Sequence, residues 1–533
     1  MLANVNLSSG EPEREVSGRA HGSGFRCTVL DSIPRTAALW GVLGLAGYAL
    51  ARSLAYARTR PLSIDELFTQ AVCGRTSISA IWKVLSQGAD SQPPFFYLME
   101  RITAWPILNE HMAYRLLPAL GFVCTLISVY VFVKRRNGSA PALVCASLLL
   151  MSPLFTIYAA EARPYSPLVA SIATALVCYQ RTPAAPWVGG LFLSLLIASS
   201  IHYYAVFALF PFFLAELTVV YQTKKVRFCV WLALLAALAP LGICWPLLMQ
   251  AKQYFGAFFL APVSLRTLPV MYAWYLGMTP AWGMALIGAA VVAVLATFFP
   301  MIGQEAEPEG SPAASVGDRV LVLGLIILPM VGFAAAKISH APLVDRYFLP
   351  ATLGIVAGVG DMLRRAKPRG IIAAAMFVLL AIGVQELGFW SSPRHRVVPA
   401  EQVSALANFA EVVQHEDLPI VVSGVEAYLE IWHYAPPLLR RRIMALVDPA
   451  NATIYAGAGT DRIPIVLRSY EPLAVRDFAP FAAEHPVFLL YSTGSVLDWW
   501  PARLAHDGHR LQLLAAHGRD AMYLVELRAS VPN

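Results

Sequence analysis

Long apolar segments recur along the first 390 residues of this chain. A helix needs about 20 apolar residues to cross the hydrocarbon core of a bilayer, and hydropathy predicts about eleven such helices. Only 14% of the 533 residues are charged, against roughly 25% in an ordinary soluble domain, so lipid must cover much of the surface. We therefore predict a mostly α, polytopic membrane protein. The predicted helices occupy 36–55, 115–133, 139–157, 166–180, 186–203, 204–221, 228–248, 281–300, 319–336, 347–363 and 370–389.

Basic residues cluster in short loops on one predicted side of the membrane, as the positive-inside rule expects of cytoplasmic loops. The rule predicts a cytoplasmic N-terminal tail at 1–35, a first outer loop at 56–114 and a C-terminal domain on the outer face. In a bacterium this describes a multi-pass inner-membrane protein with a periplasmic C-terminal domain. Because the basic residues lie in these loops, the formal charge of +7 does not indicate a nucleic-acid partner. The clusters are 134–136, 224–227 and 364–367.

The sequence becomes more polar after the membrane domain, which is predicted to cover 36–390. In residues 391–533, apolar positions first recur at the spacing of one helix face and then form short strand-like runs. Alternating helices and strands predict a small soluble α/β domain. The helix face comprises Val403, Leu406, Phe409 and Val413, and the strand-like runs are 418–422, 464–467 and 487–491.

The acidic pair Asp65-Glu66, which follows the first predicted helix, is the first candidate for chemistry. Partial burial raises the proton affinity of a carboxylate, and adjacent like charges separate the two proton affinities. The pair therefore suits a general base. The alternative is a solvated helix N-terminus, where acidic residues are favoured.

A second charged group, Glu161 with Arg163 and Tyr165, occupies the short outer loop between the third and fourth predicted helices. A carboxylate and a guanidinium at this position suit the orientation of a reactant or bidentate binding of a phosphate. The alternative is an interfacial ion pair that reaches towards water without a functional role.

A third group, Lys337, His340 and Arg346, lies in the outer loop between the ninth and tenth predicted helices. Cationic side chains at this face suit a lipid-linked phosphate and would neutralise its charge as it departs. Interfacial anchoring is the alternative, and it is the preferred interpretation for Lys337 and His340. For Arg346, beside an apolar run, the functional interpretation is preferred.

Three further features have mainly structural interpretations. His202 ends the fifth predicted helix and lines either a cavity or an aromatic belt. Gly354 and Gly358 have the spacing of a helix-packing motif. The aromatic groups Trp432-His433-Tyr434 and Trp499-Trp500 in the C-terminal domain are expected to pack in a core or an interface, with stacking on sugar as the alternative.

These motifs, taken in order, resemble the GT-C superfamily of integral-membrane glycosyltransferases. The similarity is strongest to the bacterial branch that is similar to protein O-mannosyltransferases and lipid A aminoarabinose transferases. It covers residues 60–350. The chain departs from the family pattern at two positions. Where the family has Arg-Leu-Pro, this chain has one extra residue, Leu117. Where many members have His, this chain has Gln92. The motifs are Asp65-Glu66, Gln92-Pro93-Pro94-Phe95-Phe96-Tyr97, Tyr114-Arg115-Leu116-Leu117-Pro118-Ala119-Leu120, Glu161-Ala162-Arg163-Pro164-Tyr165 and Arg346-Tyr347-Phe348-Leu349-Pro350.

The resemblance implies a role for each matching residue. Asp65 corresponds to the catalytic carboxylate that accepts a proton from the acceptor hydroxyl, with Glu66 beside it. Glu161 corresponds to an acidic position that orients reactants or a metal, and Arg163 and Arg346 correspond to donor-phosphate ligands. Gln92 and Tyr165, within matched motifs, are expected to contact substrate.

The implied reaction takes a sugar from a polyprenyl-phosphate donor to a hydroxyl on a glycan, lipid or protein acceptor. No cofactor is required by these residues. A divalent cation remains open, but no residue is assigned as a metal ligand.

Two other classes of protein share some of these features. A transporter or flippase also has many helices with charges near water, yet it should show paired half-repeats and charges near the bilayer midplane. Neither is apparent in the sequence. A non-catalytic membrane assembly protein with a partner-binding C-terminal domain is the third alternative.

Overall fold

The structure is a computed structural model that describes most of the chain. It covers residues 34–105, 107, 109–255, 263–288, 316–339, 343–391, 400–412, 417–457, 459–495 and 497–528.

Up to residue 391, the regular secondary structure of the described ranges consists of helices, joined by turns and loops. Its first half comprises α1 (Arg35–Thr59), α2 (Ile64–Cys73), α3 (Ile78–Ser86), α4 (Pro94–Ala104), α5 (Glu110–Ala113), α6 (Leu116–Asn137), α7 (Ser139–Leu148), a 3-10 turn (Leu149–Met151), α8 (Pro153–Tyr158), α9 (Tyr165–Tyr179) and α10 (Ala185–Ile201). Its second half comprises α11 (Ala205–Thr223), α12 (Phe228–Ala236), α13 (Ala239–Ile243), α14 (Trp245–Phe255), α15 (Thr267–Leu276), α16 (280–288), α17 (Val316–Ile326), α18 (Leu328–Ser339), a 3-10 turn (Asp345–Phe348), α19 (Ala351–Arg365) and α20 (Pro368–Ser391).

The apolar helices confirm the prediction of a mostly helical, multi-pass membrane chain, but several predicted spans are divided. Among the described residues, α1, α6, α11 and α20 are each long and apolar enough to cross a bilayer unbroken. Two further spans are bent pairs: α12–α13 meets α14 at 52°, and α17 meets α18 at 53°. The helices α9 and α10, and α7 with its 3-10 turn, are apolar but shorter.

The predicted spans at 139–157 and 281–300 need separate comment. The first is interrupted at Ser152, which caps the new helix α8 by accepting a hydrogen bond from the backbone N–H of Phe155. Such a side-chain bond competes with continued helix. The second begins within α16, and the remainder lies outside the described residues.

Glycine allows close helix contact at two places in the bundle. A Cβ on Gly121 of α6 would lie 2.8 Å from the backbone nitrogen of Pro167 in α9. A Cβ on Gly354 of α19 would lie 2.7 Å from the backbone nitrogen of Ile326 in α17. Small residues are what allow helix backbones to approach in a membrane, and the Gly354 contact agrees with the packing role predicted for this residue.

The C-terminal part forms the predicted α/β domain, with six strands in the order β3-β2-β1-β4-β6-β5. The first four strands run parallel, and β6 and β5 are antiparallel to their neighbours. The strands are β1 (Ile420–Val422), β2 (Ile443–Val447), β3 (Val475–Asp477), β4 (Val487–Ser492), β5 (Arg510–His517) and β6 (Asp520–Glu526). The helices are α21 (Ala400–Val412), α22 (Val425–Tyr434), α23 (Pro437–Arg440), α24 (Pro449–Tyr455), α25 (Arg462–Leu467), α26 (Phe478–Glu484) and α27 (Trp500–His506).

Three predictions within this domain can be compared with the structure. The helix at Val403–Phe409 is confirmed as part of α21, while Val413 lies outside the described residues. The strand predicted at 464–467 is wrong, because these residues form α25. A short apolar run does not distinguish a strand from a buried helix, and Pro464 lies in the first turn, where no N–H is needed. Trp499 and Trp500 pack in the core, with ring centroids 4.2 Å apart.

Candidate active site

The candidate site is built around the first turn of α2, which carries both acidic residues of the predicted pair. Ser63 is the N-cap, and its backbone N–H donates to the Glu66 carboxylate at 2.8 Å. A Glu three residues after Ser is the sequence signature of a capping box. The cap fixes where α2 begins and so places Asp65 and Glu66 in its first turn, where the helix dipole favours negative charge.

Glu66 is fully buried and forms a bidentate ion pair with Arg115, each N–O distance being 2.6 Å. It also accepts a hydrogen bond from the backbone N–H of Ala162, at 2.9 Å. Burial would raise the pKa of Glu66, but the bonds from Arg115 outweigh it and hold this pKa below its usual value. Every oxygen of Glu66 is therefore occupied by the protein itself.

Arg115, at the start of α6, is fully buried and makes five hydrogen bonds. Besides the two to Glu66, it donates to the carbonyls of Ala57, Arg60 and Pro61 at 2.6–2.7 Å. These match the five N–H donors of a guanidinium. Arg115 thus joins the end of α1, the start of α2 and the start of α6.

Asp65 has a different environment from its neighbour. Its side chain is 29% exposed, and its Oδ2 lies 3.9 Å from Nε of Arg163 and 3.8 Å from Nη2 of Arg346. Both distances exceed a hydrogen bond, and within the described residues no hydrogen bond reaches the Asp65 carboxylate. Asp65 therefore has two cations beside it and oxygens that are open to another group.

Arg163 is held rigidly by Asp90, a residue that the sequence analysis did not select. Nη1 and Nη2 of Arg163 donate to the two Asp90 oxygens at 2.6 and 3.3 Å, and both side chains are 5% exposed. Nη1 also approaches the backbone carbonyl of Asp65 and the hydroxyl of Thr69, at 3.2 and 3.3 Å. Arg163 therefore fixes the backbone at Asp65 as well as lying beside its carboxylate.

Glu161 lies in the same loop and is nearly buried, with its Oε2 3.6 Å from Nη2 of Arg60. Burial raises the pKa of Glu161 to about 7, with Glu66 adding to the shift and Arg60 opposing it. A carboxyl group that titrates near neutral pH in a cleft is a candidate for proton transfer. The structure thus brings Asp65, Glu66 and Glu161 together.

Aromatic rings form the wall beside Arg346. Its guanidinium carbon lies 5.6 Å from the ring centroid of Tyr165 and 5.7 Å from that of Tyr347. His202 packs against both rings, at 5.5 and 5.3 Å. Burial and the charges of Arg163 and Arg346 lower the pKa of His202 to about 3, so the ring is neutral. Its Nδ1 accepts from the backbone N–H of Tyr204 at 3.0 Å, which leaves the proton on Nε2.

Three further residues were predicted to bind substrate: Gln92, Lys337 and His340. Gln92 is 4% exposed, and its Oε1 is buried without a hydrogen-bond partner among the described residues. Lys337 is exposed near the end of α18 and lies 5.9 Å from the ring centroid of Phe333, with no contact to Asp65 or Arg346 in the described part of the chain. His340 lies outside the described residues.

No metal site is evident in the described ranges, where no three His, Cys, Asp or Glu side chains are grouped closely enough to hold an ion. Glu66 is occupied by Arg115, and Asp90 by Arg163. Neither carboxylate can therefore coordinate a divalent cation without losing bonds to its arginine.

The opposite face of α2 borders the C-terminal domain. Leu67, Gln70 and Gly74 line a cavity of about 330 Å³ together with Trp432 and His433 of α22. Of its polar lining groups, His433 lies 3.5 Å from Glu110, a residue outside the cavity lining. Trp432 therefore lies at a domain interface, one of the two positions expected for C-terminal tryptophans.

Sequence reasoning missed Asp90 and Arg115 as parts of the site. Arg115 stands within a motif that carries the family resemblance, so the motif itself was the signal. Asp90 lies two residues before Gln92, between α3 and α4, and no local pattern links it to Arg163.

No family model matches the chain, and no curated protein matches it. Solved structures do match over most of its length. The apo structure of ArnT from Cupriavidus metallidurans shares 14% identity, covers 92% of this chain and 98% of its own, and gives a TM-score of 0.47. The same protein bound to undecaprenyl phosphate gives 13% and 0.43.

A second matching protein is the archaeal oligosaccharyltransferase AglB from Archaeoglobus fulgidus, in complex with an inhibitory peptide and a dolichol-phosphate. It shares 10% identity, covers 91% of this chain and 74% of its own, and gives a TM-score of 0.43. Likeness at this level carries no argument about donor or acceptor, so the function proposed below is derived from the chain's own residues.

Proposed function

We propose that this chain is a glycosyltransferase that moves a sugar from a polyprenyl-phosphate donor to an acceptor hydroxyl at the outer face of the inner membrane. The observation that carries this proposal is the contrast between two adjacent carboxylates. Glu66 is buried and fully hydrogen-bonded, whereas Asp65 is partly exposed and has two arginines just beyond hydrogen-bond distance. A general base needs an oxygen that a hydroxyl can reach.

The chemistry requires one bond to form and one to break. The acceptor oxygen attacks the anomeric carbon while the bond from that carbon to the phosphate oxygen breaks, so the configuration inverts. Asp65 takes the proton of the acceptor hydroxyl, and the polyprenyl phosphate leaves with the electron pair of the broken bond. Charge that develops on the phosphate is stabilised by fixed cations.

Arg346 is the principal phosphate ligand in this proposal. Its side chain is 26% exposed and is oriented by the Tyr165 and Tyr347 rings. Arg163 is nearly buried and bonded to Asp90, so its role is to add positive potential and to hold the Asp65 backbone. Glu161, with its pKa near neutral, is assigned to orienting the acceptor, while Gln92 and His202 line the sugar-binding space.

The proposed orientation is N-terminus in the cytoplasm and C-terminal domain in the periplasm. The helix α6 begins at the site and ends at Lys134–Arg136, and α19 begins after Arg346 and ends at Arg364-Arg365. Helices that start at the site therefore end in basic clusters, and such clusters favour the cytoplasm. The reacting groups then face the periplasm, where a polyprenyl tail can remain in lipid while its phosphate reaches the site.

The first test compares the lipids and glycans of a deletion strain with those of its parent by mass spectrometry. The expected result is the loss of one sugar from an envelope lipid, glycan or protein, and its return when the full chain is supplied. A strain supplied with the Asp65→Asn chain should resemble the deletion strain. No change in any glycoconjugate, with altered export of a lipid or solute, would contradict the proposal and favour a transporter.

A further inference from the structure

The first turn of α2 is held partly by the C-terminal domain. Three successive backbone N–H groups precede or open this helix, and each has a different side chain beside it. Leu62 N–H donates to the hydroxyl of Tyr434 at 2.8 Å and Ser63 N–H to Glu66. The N–H of Ile64 lies beside the carboxylate of Glu430 and partly offsets the rise that burial causes in the pKa of that group. Helix N-termini leave such groups unsatisfied unless a cap is supplied.

Two of these three caps come from one face of α22. Glu430 and Tyr434 are four residues apart, which places them one turn apart on the same side of a helix. The hydroxyl of Tyr434 is also 2.9 Å from Nε2 of His111, a residue of the short helix α5. Glu430 is largely buried at this contact, and burial raises its pKa to about 7. The cap from Glu430 is therefore inside the domain interface.

We infer that Glu430 and Tyr434 are positioning residues, through which the C-terminal α/β domain sets the position of the Asp65 carboxylate. This inference rests on the function proposed above. Asp65 directly follows Ile64, so a shift of the Ile64 backbone moves the Asp65 side chain relative to Arg163 and Arg346. These two arginines belong to other elements and would not follow.

The positions of reacting groups matter on this scale. A displacement of about 1 Å can lower a rate by about a hundredfold. The Glu66–Arg115 pair fixes the C-terminal side of the first turn, and the pair from α22 fixes its N-terminal side. The C-terminal domain is therefore a structural part of the catalytic unit, although neither Glu430 nor Tyr434 bonds to the Asp65 side chain in the described structure.

The test uses two substitutions of Glu430 in the full-length protein in lipid nanodiscs. Glu430→Gln keeps an oxygen that can accept from Ile64 N–H, whereas Glu430→Met has similar length and no acceptor. Turnover is measured as transfer of label from undecaprenyl-phosphate mannose, glucose and aminoarabinose, supplied separately, to the acceptors in an envelope extract of the deletion strain. Glu430→Met is expected to lower kcat by about tenfold or more with less than a twofold change in KM for the donor. Glu430→Gln is expected to stay within about threefold of the parent.

Hydrogen exchange of residues 60–68 supplies a readout that does not depend on turnover. Faster exchange of this segment is expected for Glu430→Met and for Tyr434→Phe, because each leaves a helix-start N–H without its acceptor. Glu471→Gln is the matched control. Glu471 pairs with Arg75 across the same domain interface, beyond the other end of α2, so its loss weakens docking without touching the first turn.

Each outcome decides between specific alternatives. Equal kcat values and equal exchange in the Gln and Met variants would overturn the positioning role. A loss of kcat in Glu471→Gln as large as in Glu430→Met would assign the effect to general docking and also overturn it. Absence of transfer by the parent with all three donors would count against the proposed function, and hydrogen exchange alone would then decide whether α22 holds the start of α2.

Discussion

Asp65 and Arg346 face each other across 3.8 Å, although one lies in the first turn of α2 and the other in the 3-10 turn that precedes α19. Arg163, on the short loop before α9, lies 3.9 Å from the same carboxylate oxygen. The two cations attract the carboxylate without occupying it by a direct hydrogen bond. A proton acceptor and a phosphate ligand can thus lie side by side and still be available to different parts of a donor–acceptor pair.

The first prediction concerns Asp65→Asn. Removal of the base is expected to lower kcat by about a hundredfold or more. The unfolding temperature should change by less than a few degrees, since the Asp65 carboxylate is partly exposed and accepts no hydrogen bond from any residue that the structure describes. Asp477→Asn is the matched control, because Asp477 is an exposed residue of the C-terminal domain. Transfer rates of the purified proteins check the prediction. A variant with parental kcat would remove Asp65 as the base.

The second prediction separates Arg346, in the 3-10 turn before α19, from an arginine at the C-terminal end of this helix. Arg346→Ala is expected to raise KM for the polyprenyl-phosphate donor about tenfold or more, since a bond to a charged group contributes about 1.5–3 kcal/mol. Arg364→Ala, which removes an exposed arginine at the other end of this helix, should leave KM unchanged. Equal KM values for the two variants would contradict the assignment of Arg346.

The third prediction concerns the pH dependence of stability through Glu161. Its pKa is raised from an ordinary value near 4.5 to about 7 in the folded chain, so the folded state holds more protons than the unfolded state between these pH values. The stability contributed by this carboxyl is therefore present at low pH and lost as the pH rises towards 7.

Glu161→Gln removes this titration. The unfolding temperature of the variant should fall less between pH 5 and pH 7.5 than that of the parent, as measured by a thermal-shift assay in detergent. Glu484→Gln, at a solvent-exposed glutamate of α26, should follow the parental curve. A parental pH profile in Glu161→Gln would show that this group does not titrate in the expected range.

The fourth prediction compares two glycines of α19. A Cβ at position 354 would approach the backbone of α17 to 2.7–2.8 Å, whereas at position 358 the nearest atom is 3.6 Å away, at the end of the Ile326 side chain. Gly354→Ala should therefore destabilise the bundle by about 1–3 kcal/mol through overpacking. Gly358→Ala should be tolerated. The unfolding temperatures of both variants check this, and equal values would contradict the packing role of Gly354.

The sequence was sufficient to predict those features that depend on composition and local pattern. Apolar segments of the right length predicted the helical membrane part, and the short strand-like runs predicted the α/β domain. The bends between α12–α13 and α14, and between α17 and α18, were not predictable, because hydropathy measures length and apolarity and is insensitive to direction. The strand predicted at 464–467 is part of α25 for a similar reason, because four apolar residues fit the periodicity of a strand as well as that of a helix.

Some residues of the candidate site were predictable from the position of charged residues in the sequence. Asp65, Glu161 and Arg346 are charged residues beside apolar segments, where charges are costly to keep. The different environments of Asp65 and Glu66 were not predictable, because they depend on Arg115, Arg163 and the backbone of Ala162, which the fold brings together from other segments. Glu430 was missed for the same reason, because only the docking of the two domains brings it to α2. Tyr434 was expected in a core or an interface, but its bond to the backbone before α2 was not.

The five hydrogen bonds of Arg115 constrain how substrates can reach the site. To lift the beginning of α2 away from α1 and α6, all five would have to be broken together inside a region without water to replace them. The start of α2 is therefore expected to keep its place against α1 and α6 during turnover, and a long-chain lipid or a bulky acceptor must reach the Asp65 carboxylate without moving it.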